Sequence, residues 1–149
     1  MRRLLIVALL AAALAPPAAL AHSHKRKGVE VVHPWTPAMM ERGATTTSVY
    51  MTIKSAQKDR LIGATSALAA KVELQELSGD GGLKPVTAVE IAGGKPTELT
   101  RKGARLVATG VKKPLNAYDT FKLTLVFEKA GRMVVEVMVE ENEDIVPHK

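Results

Sequence analysis

The chain has 149 residues and no cysteine, and its 21 lysines and arginines exceed its 15 aspartates and glutamates, which gives a net charge of +6 at pH 7. This length suits one domain. Without cysteine, neither a disulfide framework nor thiolate chemistry is available. The basic residues are scattered and are not interleaved with aromatic residues, which argues against nucleic-acid binding.

The first 21 residues have the layout of a cleavable signal peptide. Met1-Arg2-Arg3 is a basic start, residues 4–15 are apolar, and Ala19-Leu20-Ala21 is a small-x-small cleavage site. The apolar run is shorter than the about 20 residues that span a bilayer. The pattern therefore predicts export without a permanent membrane anchor. Cleavage after Ala21 removes two basic residues, so the net charge of the mature chain falls from +6 to +4.

Residues 22–28 are polar, and we expect a mobile N-terminus there. Beyond them the pattern is typical of β-strands, because apolar and polar residues alternate or β-branched residues predominate. In chain order, strands are predicted at residues 29–32, 45–53, 71–77, 86–91, 97–99, 105–109, 121–127 and 133–140. His33-Pro34 is expected to end the first strand, residues 79–82 to form a turn, and residues 64–70 to hold one helical turn.

Short strands separated by glycine and proline turns, with no sustained helical period and no internal repeat, predict an all-β antiparallel sandwich or barrel. The strand pattern defines one domain over residues 29–140. Residues 141–149 are acidic and then contain a proline, and we expect a frayed tail there.

The residue inventory argues against an enzyme. Of the four histidines, only one lies inside the predicted domain, namely His33, the others being His22, His24 and His148. No serine occupies a Gly-x-Ser-x-Gly elbow. Glu73 and Glu76 are expected on opposite faces of one strand, which suits solvation better than acid–base catalysis.

Seven sequence blocks follow one another along the predicted domain: VVHPWTP at residues 31–37, VYMTI at 49–53, DRLIGA at 59–64, VELQE at 72–76, GG at 81–82, GVKKPL at 110–115 and FKLTLVF at 121–127. In this order they resemble the periplasmic copper chaperones of the PCu(A)C type. The resemblance implies a cupredoxin-like Greek-key β-sandwich that works in the periplasm. It also implies copper as the ligand, loading of respiratory-oxidase copper centres as the role, and an oxidase copper subunit or another copper chaperone as the partner.

The copper site of that family uses two histidines and two methionines, whose soft thioethers suit Cu(I). By the resemblance, the first histidine falls on Gln75, the first methionine on Val86, a frequent second methionine on Lys84, and the closing His-x-Met on Arg105 and Val107. None of these side chains is one of the family's ligands, and the charge of Arg105 repels a cation. The resemblance therefore implies a core site that has degenerated.

Two other places offer copper ligands. If cleavage follows Ala21, the mature chain begins His22-Ser23-His24, whose free amine, two backbone amides and third-residue imidazole can bind Cu(II) or Ni(II) in a square plane. His22 adds a further imidazole, although a mobile polar terminus explains the segment as well. Met39-Met40 lies in a loop near His33 and is able to hold Cu(I) transiently, although loop packing is the favoured explanation of this pair. His33 itself is expected to be structural.

Two functional hypotheses remain open at this point. In the first, the protein belongs to the copper chaperones, binds copper and aids the loading of oxidase copper centres despite a degenerate core site. In the second, it is a ligand-poor cupredoxin-like module that binds proteins without transferring copper. The family resemblance favours the first hypothesis, and the replaced ligand positions favour the second.

Overall fold

The computed structural model of the chain describes residues 23–39 and 43–141, and these residues form strands and turns without a helix. The strands are β1 (Ser23–Arg26), β2 (Val29–Pro37), β3 (Thr46–Ser55), β4 (Asp59–Thr65), β5 (Ala69–Leu77), β6 (Leu83–Pro85), β7 (Val89–Ile91), β8 (Thr97–Leu99), β9 (Arg105–Val111), β10 (Thr120–Phe127) and β11 (Gly131–Glu140). The all-β prediction is confirmed. The predicted signal peptide and the tail beyond residue 141 lie outside the described residues. In the described part, no helix is long and apolar enough to cross a membrane.

Hydrogen-bonded neighbours follow the order β6-β5-β9-β3-β2-β11-β10-β4-β7, with β1 added to β2 and β8 added to β3. The described pairings are antiparallel except that of β2 with β11, which is parallel. β3 connects two sheets, because residues 46–49 pair with β9 while residues 51–53 pair with β8. This shared strand places β5, β6 and β9 in one layer and most other strands in the second.

The core lies between the two layers because side chains alternate along each strand. In β11 the buried side chains are those of Met133, Val135, Val137 and Val139, and the intervening residues are exposed or half-buried. Both sheets supply the main core, as the contacts among residues such as Leu74, Leu106, Leu123 and Leu125 show. A smaller cluster surrounds the buried Leu115.

β2 runs further than its sequence predicts. It continues to Pro37, through the His33-Pro34 step where the pattern predicts its end. His33 has a φ of 50°, and the register with β3 shifts between Val32 and Trp35. The shift is a bulge, which interrupts the ladder where the proline has no N–H to donate and so lets the strand continue.

Four further segments differ from their sequence predictions. Asp59–Thr65, where no strand is predicted, form β4 between β10 and β7. Ser23–Arg26, expected to be mobile, pair with β2 as β1. Residues 64–70 contain no helical turn, because β4 ends at Thr65 and β5 begins at Ala69. Leu83–Pro85 form β6 on the edge of β5. In each case backbone pairing with a neighbouring strand outweighs the local sequence preference.

Asp59 fastens the start of β4 to the turn between β10 and β11. Its Oδ1 accepts hydrogen bonds from the backbone amides of Arg60 at 2.7 Å and Lys129 at 2.9 Å, and its Oδ2 accepts one from Ala130 at 3.0 Å. Burial raises the pKa of Asp59, but these backbone hydrogen bonds, with the charge of Lys129, outweigh it and hold the pKa below 3.8. The carboxylate therefore remains ionised although it is buried.

Candidate functional site at the β5, β6 and β9 end

The positions that the resemblance assigns to copper ligands meet at one end of β5, β6 and β9. Gln75 lies opposite Arg105 of β9 on one side and opposite Pro85 of β6 on the other. Val86 is held next to β5 because its backbone N–H donates to the Leu74 carbonyl at 2.9 Å. Strand pairing thus brings together residues that are far apart in the sequence.

The side chains at this end do not fit copper. Val107 is buried, and Val86 packs against the main core, so both present only aliphatic groups. Lys84 is exposed on β6, opposite Glu76. Cu(I) prefers thioether, thiolate or imidazole ligands, and none of these is supplied. In residues 23–39 and 43–141, no group of three or more His, Cys, Asp or Glu side chains is arranged to hold a metal ion.

Arg105 places a buried cation at the same end. Its side chain and backbone together are only 9% exposed. Its guanidinium carbon lies 5.7 Å from the centroid of the Tyr50 ring, and its Nη2 donates to the backbone carbonyl of Arg101. Its Nε has no hydrogen-bond partner among the described residues. Because like charges repel strongly in a buried site, this guanidinium opposes the binding of a metal cation.

Aromatic and charged side chains surround this guanidinium. The rings of Trp35 and Tyr50 lie 4.9 Å apart between centroids. The guanidinium carbon of Arg101 lies 5.7 Å from the Trp35 centroid and 5.9 Å from the Tyr50 centroid. A cleft of about 140 Å³ opens beside them. The cleft is lined by His33, Trp35, Tyr50, Met51, Thr52, Glu98, Leu99, Thr100 and Arg101. The sequence does not predict this arginine–aromatic cluster, and its one signal there is the single tryptophan next to His33-Pro34.

His33 lies at the rim of this cleft. Its Nε2 is 2.8 Å from Oε1 of Glu140 on β11, and its ring centroid is 6.4 Å from that of Trp35. The imidazole therefore joins the bulge of β2 to β11, which agrees with the structural role expected for it.

His24, the described member of the proposed terminal copper site, lies in β1. Its Nε2 accepts a hydrogen bond from the backbone N–H of Glu136 at 3.1 Å. In the neutral ring, the proton then resides on Nδ1. A chelate that closes from the histidine's own backbone nitrogen uses Nδ1, because Nε2 lies on the far side of the ring. When a metal occupies Nδ1 of the neutral ring, the proton lies on Nε2, which can then no longer accept a hydrogen bond. Metal binding at the terminus thus requires the loss of the hydrogen bond from the Glu136 N–H. His22 lies outside the described residues.

The methionine pair is described only in part, since Met40 lies outside the described residues. The backbone N–H of Met39 donates to the Leu115 carbonyl at 2.9 Å, and its half-buried side chain packs against the small core cluster. These contacts favour loop packing for Met39 over a transient Cu(I) site.

Comparison with known proteins places these observations in a family. Among solved structures, the chain is similar to the copper-bound PCuAC domain from PmoF2, with a TM-score of 0.71, 24% identity, and coverage of 81% of this chain and 99% of that one. It is also similar to the apo PCuAC domain from PmoF1, with a TM-score of 0.72 and 22% identity. The match covers 81% of this chain and 100% of that one. The solution structure of apo-DR1885 from Deinococcus radiodurans matches with a TM-score of 0.63 and 26% identity. The match covers 96% of this chain and 99% of that one.

These likenesses confirm the cupredoxin-like β-sandwich and the resemblance to the PCu(A)C type. No curated protein matches the chain. The LpqE-like model, which describes a lipoprotein family, matches residues 29–139, the stretch that runs from the start of β2 almost to the end of β11. The chain therefore belongs to the LpqE-like family.

Proposed function

We propose that the protein is a periplasmic, non-catalytic relative of the copper chaperones that aids the loading of respiratory-oxidase copper centres without holding copper at the β5, β6 and β9 end. The family and the fold support a role in copper handling. The observation that carries the proposal is the buried guanidinium of Arg105, which stands where the resemblance requires a ligand. The protein then contributes mainly by contact with an oxidase copper subunit or another copper chaperone.

The sequence of the first 21 residues supports the periplasmic location. Residues 1–21 carry the basic start, apolar run and small-x-small site of a cleaved signal peptide. Copper that binds to the mature protein is expected at its first residues, His22-Ser23-His24, as Cu(II) in a square plane. Binding there competes with the His24–Glu136 hydrogen bond, so the terminal site is expected to be weaker than the same tripeptide in an unstructured chain.

The terminal site is tested by titrating the exported, processed protein with Cu(II), after mass spectrometry has fixed its first residue. We expect one Cu(II) per chain and its loss in His24→Ala. The matched control is His148→Ala, which removes one imidazole elsewhere and is expected to leave binding unchanged. A mature chain that starts at any residue other than His22, or Cu(II) binding that survives His24→Ala, contradicts this part of the proposal.

The second candidate, a protein-interaction module without copper transfer, is supported by the positions that the resemblance assigns to copper ligands, because they carry Gln75, Val86, Arg105 and Val107. It is distinguished by mixing the metal-free protein with a purified oxidase copper domain. Association that is unaffected by copper, together with no binding of Cu(I) or Cu(II), favours the module. Association that requires bound copper favours a carrier.

A further inference from the structure

Arg105 carries a charge that the described residues do not balance. No ion pair joins it to a carboxylate in that part of the chain, and its Nε–H is buried without an acceptor. The contact with Tyr50 and the bond to the Arg101 carbonyl compensate the guanidinium only in part. Because a buried charge is costly unless it is paired and hydrogen-bonded, this arrangement is suited to an additional, negatively charged partner.

A second arginine lies next to Arg105 and lines a cleft, although Arg105 itself lies behind the Tyr50 ring and is not part of the cleft lining. Arg101 places a second guanidinium against the same Tyr50 ring, and that ring lines the cleft of about 140 Å³. The cleft is smaller than the roughly 300–1,000 Å³ of typical cofactor pockets, so it selects a small group.

Among the described residues, two carboxylates lie near this cleft, and each has a hydrogen-bonding partner of its own. Glu98 accepts a hydrogen bond from Thr52 Oγ1 at 2.8 Å, and Glu140 lies 2.8 Å from His33 Nε2. Neither carboxylate is bonded to Arg105. The negative charge at the rim therefore does not replace the missing partner of the buried guanidinium.

We propose that Arg105, together with Arg101, Trp35 and Tyr50, forms a binding site for a carboxylate or another small oxyanion. A guanidinium presents parallel N–H donors that match the two oxygens of a carboxylate, and the Nε–H of Arg105 is one such donor without an acceptor. The group belongs either to a free small anion or to an acidic side chain of a partner protein. This site is independent of whether the protein handles copper.

The test is an NMR titration of the ¹⁵N-labelled mature protein at constant ionic strength. Sodium acetate, sodium sulfate and an acetylated tetraglutamate peptide each replace sodium chloride, and the Nε–H signal of Arg105 is followed. Trp35 is the single tryptophan, so its fluorescence gives a second readout of the same cluster. Arg105→Lys keeps the charge but removes the Nε–H donor, and Lys102→Gln removes one neighbouring exposed charge as the control.

We expect the Arg105 Nε–H signal and the Trp35 fluorescence to respond to acetate or sulfate in a saturable way. Arg105→Lys should weaken the affinity about tenfold or more, since hydrogen bonds to charged groups are the strong ones. Lys102→Gln should change it by less than about twofold, because exposed charges are screened. A response to the peptide alone also supports the site and assigns the carboxylate to a partner. The proposal is overturned if no anion moves the Arg105 signal of the wild-type protein, or if both variants weaken binding equally.

Discussion

At the level of single residues, Asp59 and Arg105 show two ways in which this fold accommodates a buried charge. The Asp59 carboxylate accepts three backbone hydrogen bonds and therefore stabilises the link between β4 and the β10–β11 turn. The Arg105 guanidinium makes one hydrogen bond and one ring contact and leaves its Nε–H without a partner among the described residues. The first charge is structural, whereas the second is more readily explained by binding.

Asp59→Asn is expected to destabilise the protein by about 1–3 kcal/mol, because the amide NH₂ faces backbone N–H donors that then lack an acceptor. Urea unfolding measures the loss. Asp80→Asn is the control, since Asp80 also accepts a backbone hydrogen bond from Gly82 but lies in an exposed turn, and we expect a smaller loss there. Equal losses in the two variants contradict the structural role of Asp59.

The same substitution gives a pH dependence whose sign follows from the lowered pKa of Asp59. Because the folded-state pKa lies below 3.8, the stabilisation by the carboxylate is complete above 3.8 and is lost as the pH falls through the folded-state pKa. The difference in unfolding free energy between wild type and Asp59→Asn should therefore shrink when urea unfolding is repeated in steps below pH 3.8. A difference that grows on acidification would show that the assigned sign is wrong.

Arg105→Met is expected to leave stability within about 1 kcal/mol of the wild type or to raise it, because an apolar side chain of similar length avoids burying an unpaired charge. The neighbouring Leu106→Ala is the control and is expected to cost about 2–5 kcal/mol, since its side chain is fully buried. Thermal or urea unfolding measures both. If Arg105→Met costs as much as Leu106→Ala, the guanidinium holds the sandwich together and the functional explanation of its burial loses its basis.

At the level of strands, β9 depends on a glycine where it passes β5. Gly110 has a φ of 65°, and a Cβ added there would lie 2.6 Å from the Cβ of Ala70. The approach lies in the same β5–β9 ladder that, at its other end, pairs Gln75 with Arg105. The glycine is thus tied to the geometry of the candidate site.

Gly110→Ala is expected to destabilise the protein by roughly 2–5 kcal/mol, the sum of the positive-φ strain and the clash. The double variant Ala70→Gly/Gly110→Ala removes the clash and should recover part of the loss. Gly28→Ala is the matched control, because Gly28 has a φ of 79° but no atom within 4 Å of an added Cβ. Urea unfolding compares the stabilities of the three variants. If the double variant is no more stable than Gly110→Ala, the clash with Ala70 is not the cause of the loss.

Sequence patterns predict most of the strands whose side chains alternate, although β4 is missed, and they fail where backbone pairing alone orders the chain. β10 and β5 follow directly from the alternation of FKLTLVF and VELQE. β1 and β6 are polar or very short, and their order comes from hydrogen bonds to β2 and β5. β2 passes Pro34 through a bulge in which His33 has a positive φ, and a proline-based rule does not anticipate this.

For the site, the sequence predicted which positions meet but not what surrounds them. The convergence of residues 75, 86 and 105 follows from the family resemblance, and strand pairing agrees with it. The stacking of Arg105 on Tyr50 depends on the register between β3 and β9, in which Val49 lies opposite Leu106. Such long-range registers are set by tertiary packing, so local periodicity carries no signal for them.

For the molecule as a whole, the chain has the fold of the PCuAC domains that it resembles, whereas the positions that the resemblance assigns to copper ligands carry other side chains. The sandwich brings together the four positions that the resemblance assigns to ligands, so replacing side chains there should be sufficient to create a site. The variant Gln75→His/Val86→Met/Arg105→His/Val107→Met is therefore expected to gain a Cu(I) site, because imidazole and thioether are the donors that Cu(I) prefers. The same variant with Arg105 retained should not gain one, since the guanidinium repels the ion.

The most direct test of this account is a Cu(I) competition titration of the mature protein carrying His22→Ala and His24→Ala, run beside the four-residue variant in the same background. We predict no stoichiometric Cu(I) binding without the four substitutions and one bound Cu(I) per chain with them. Tight, stoichiometric binding of Cu(I) by the protein that retains Gln75, Val86, Arg105 and Val107 would contradict the claim that its β5, β6 and β9 end has lost the metal site.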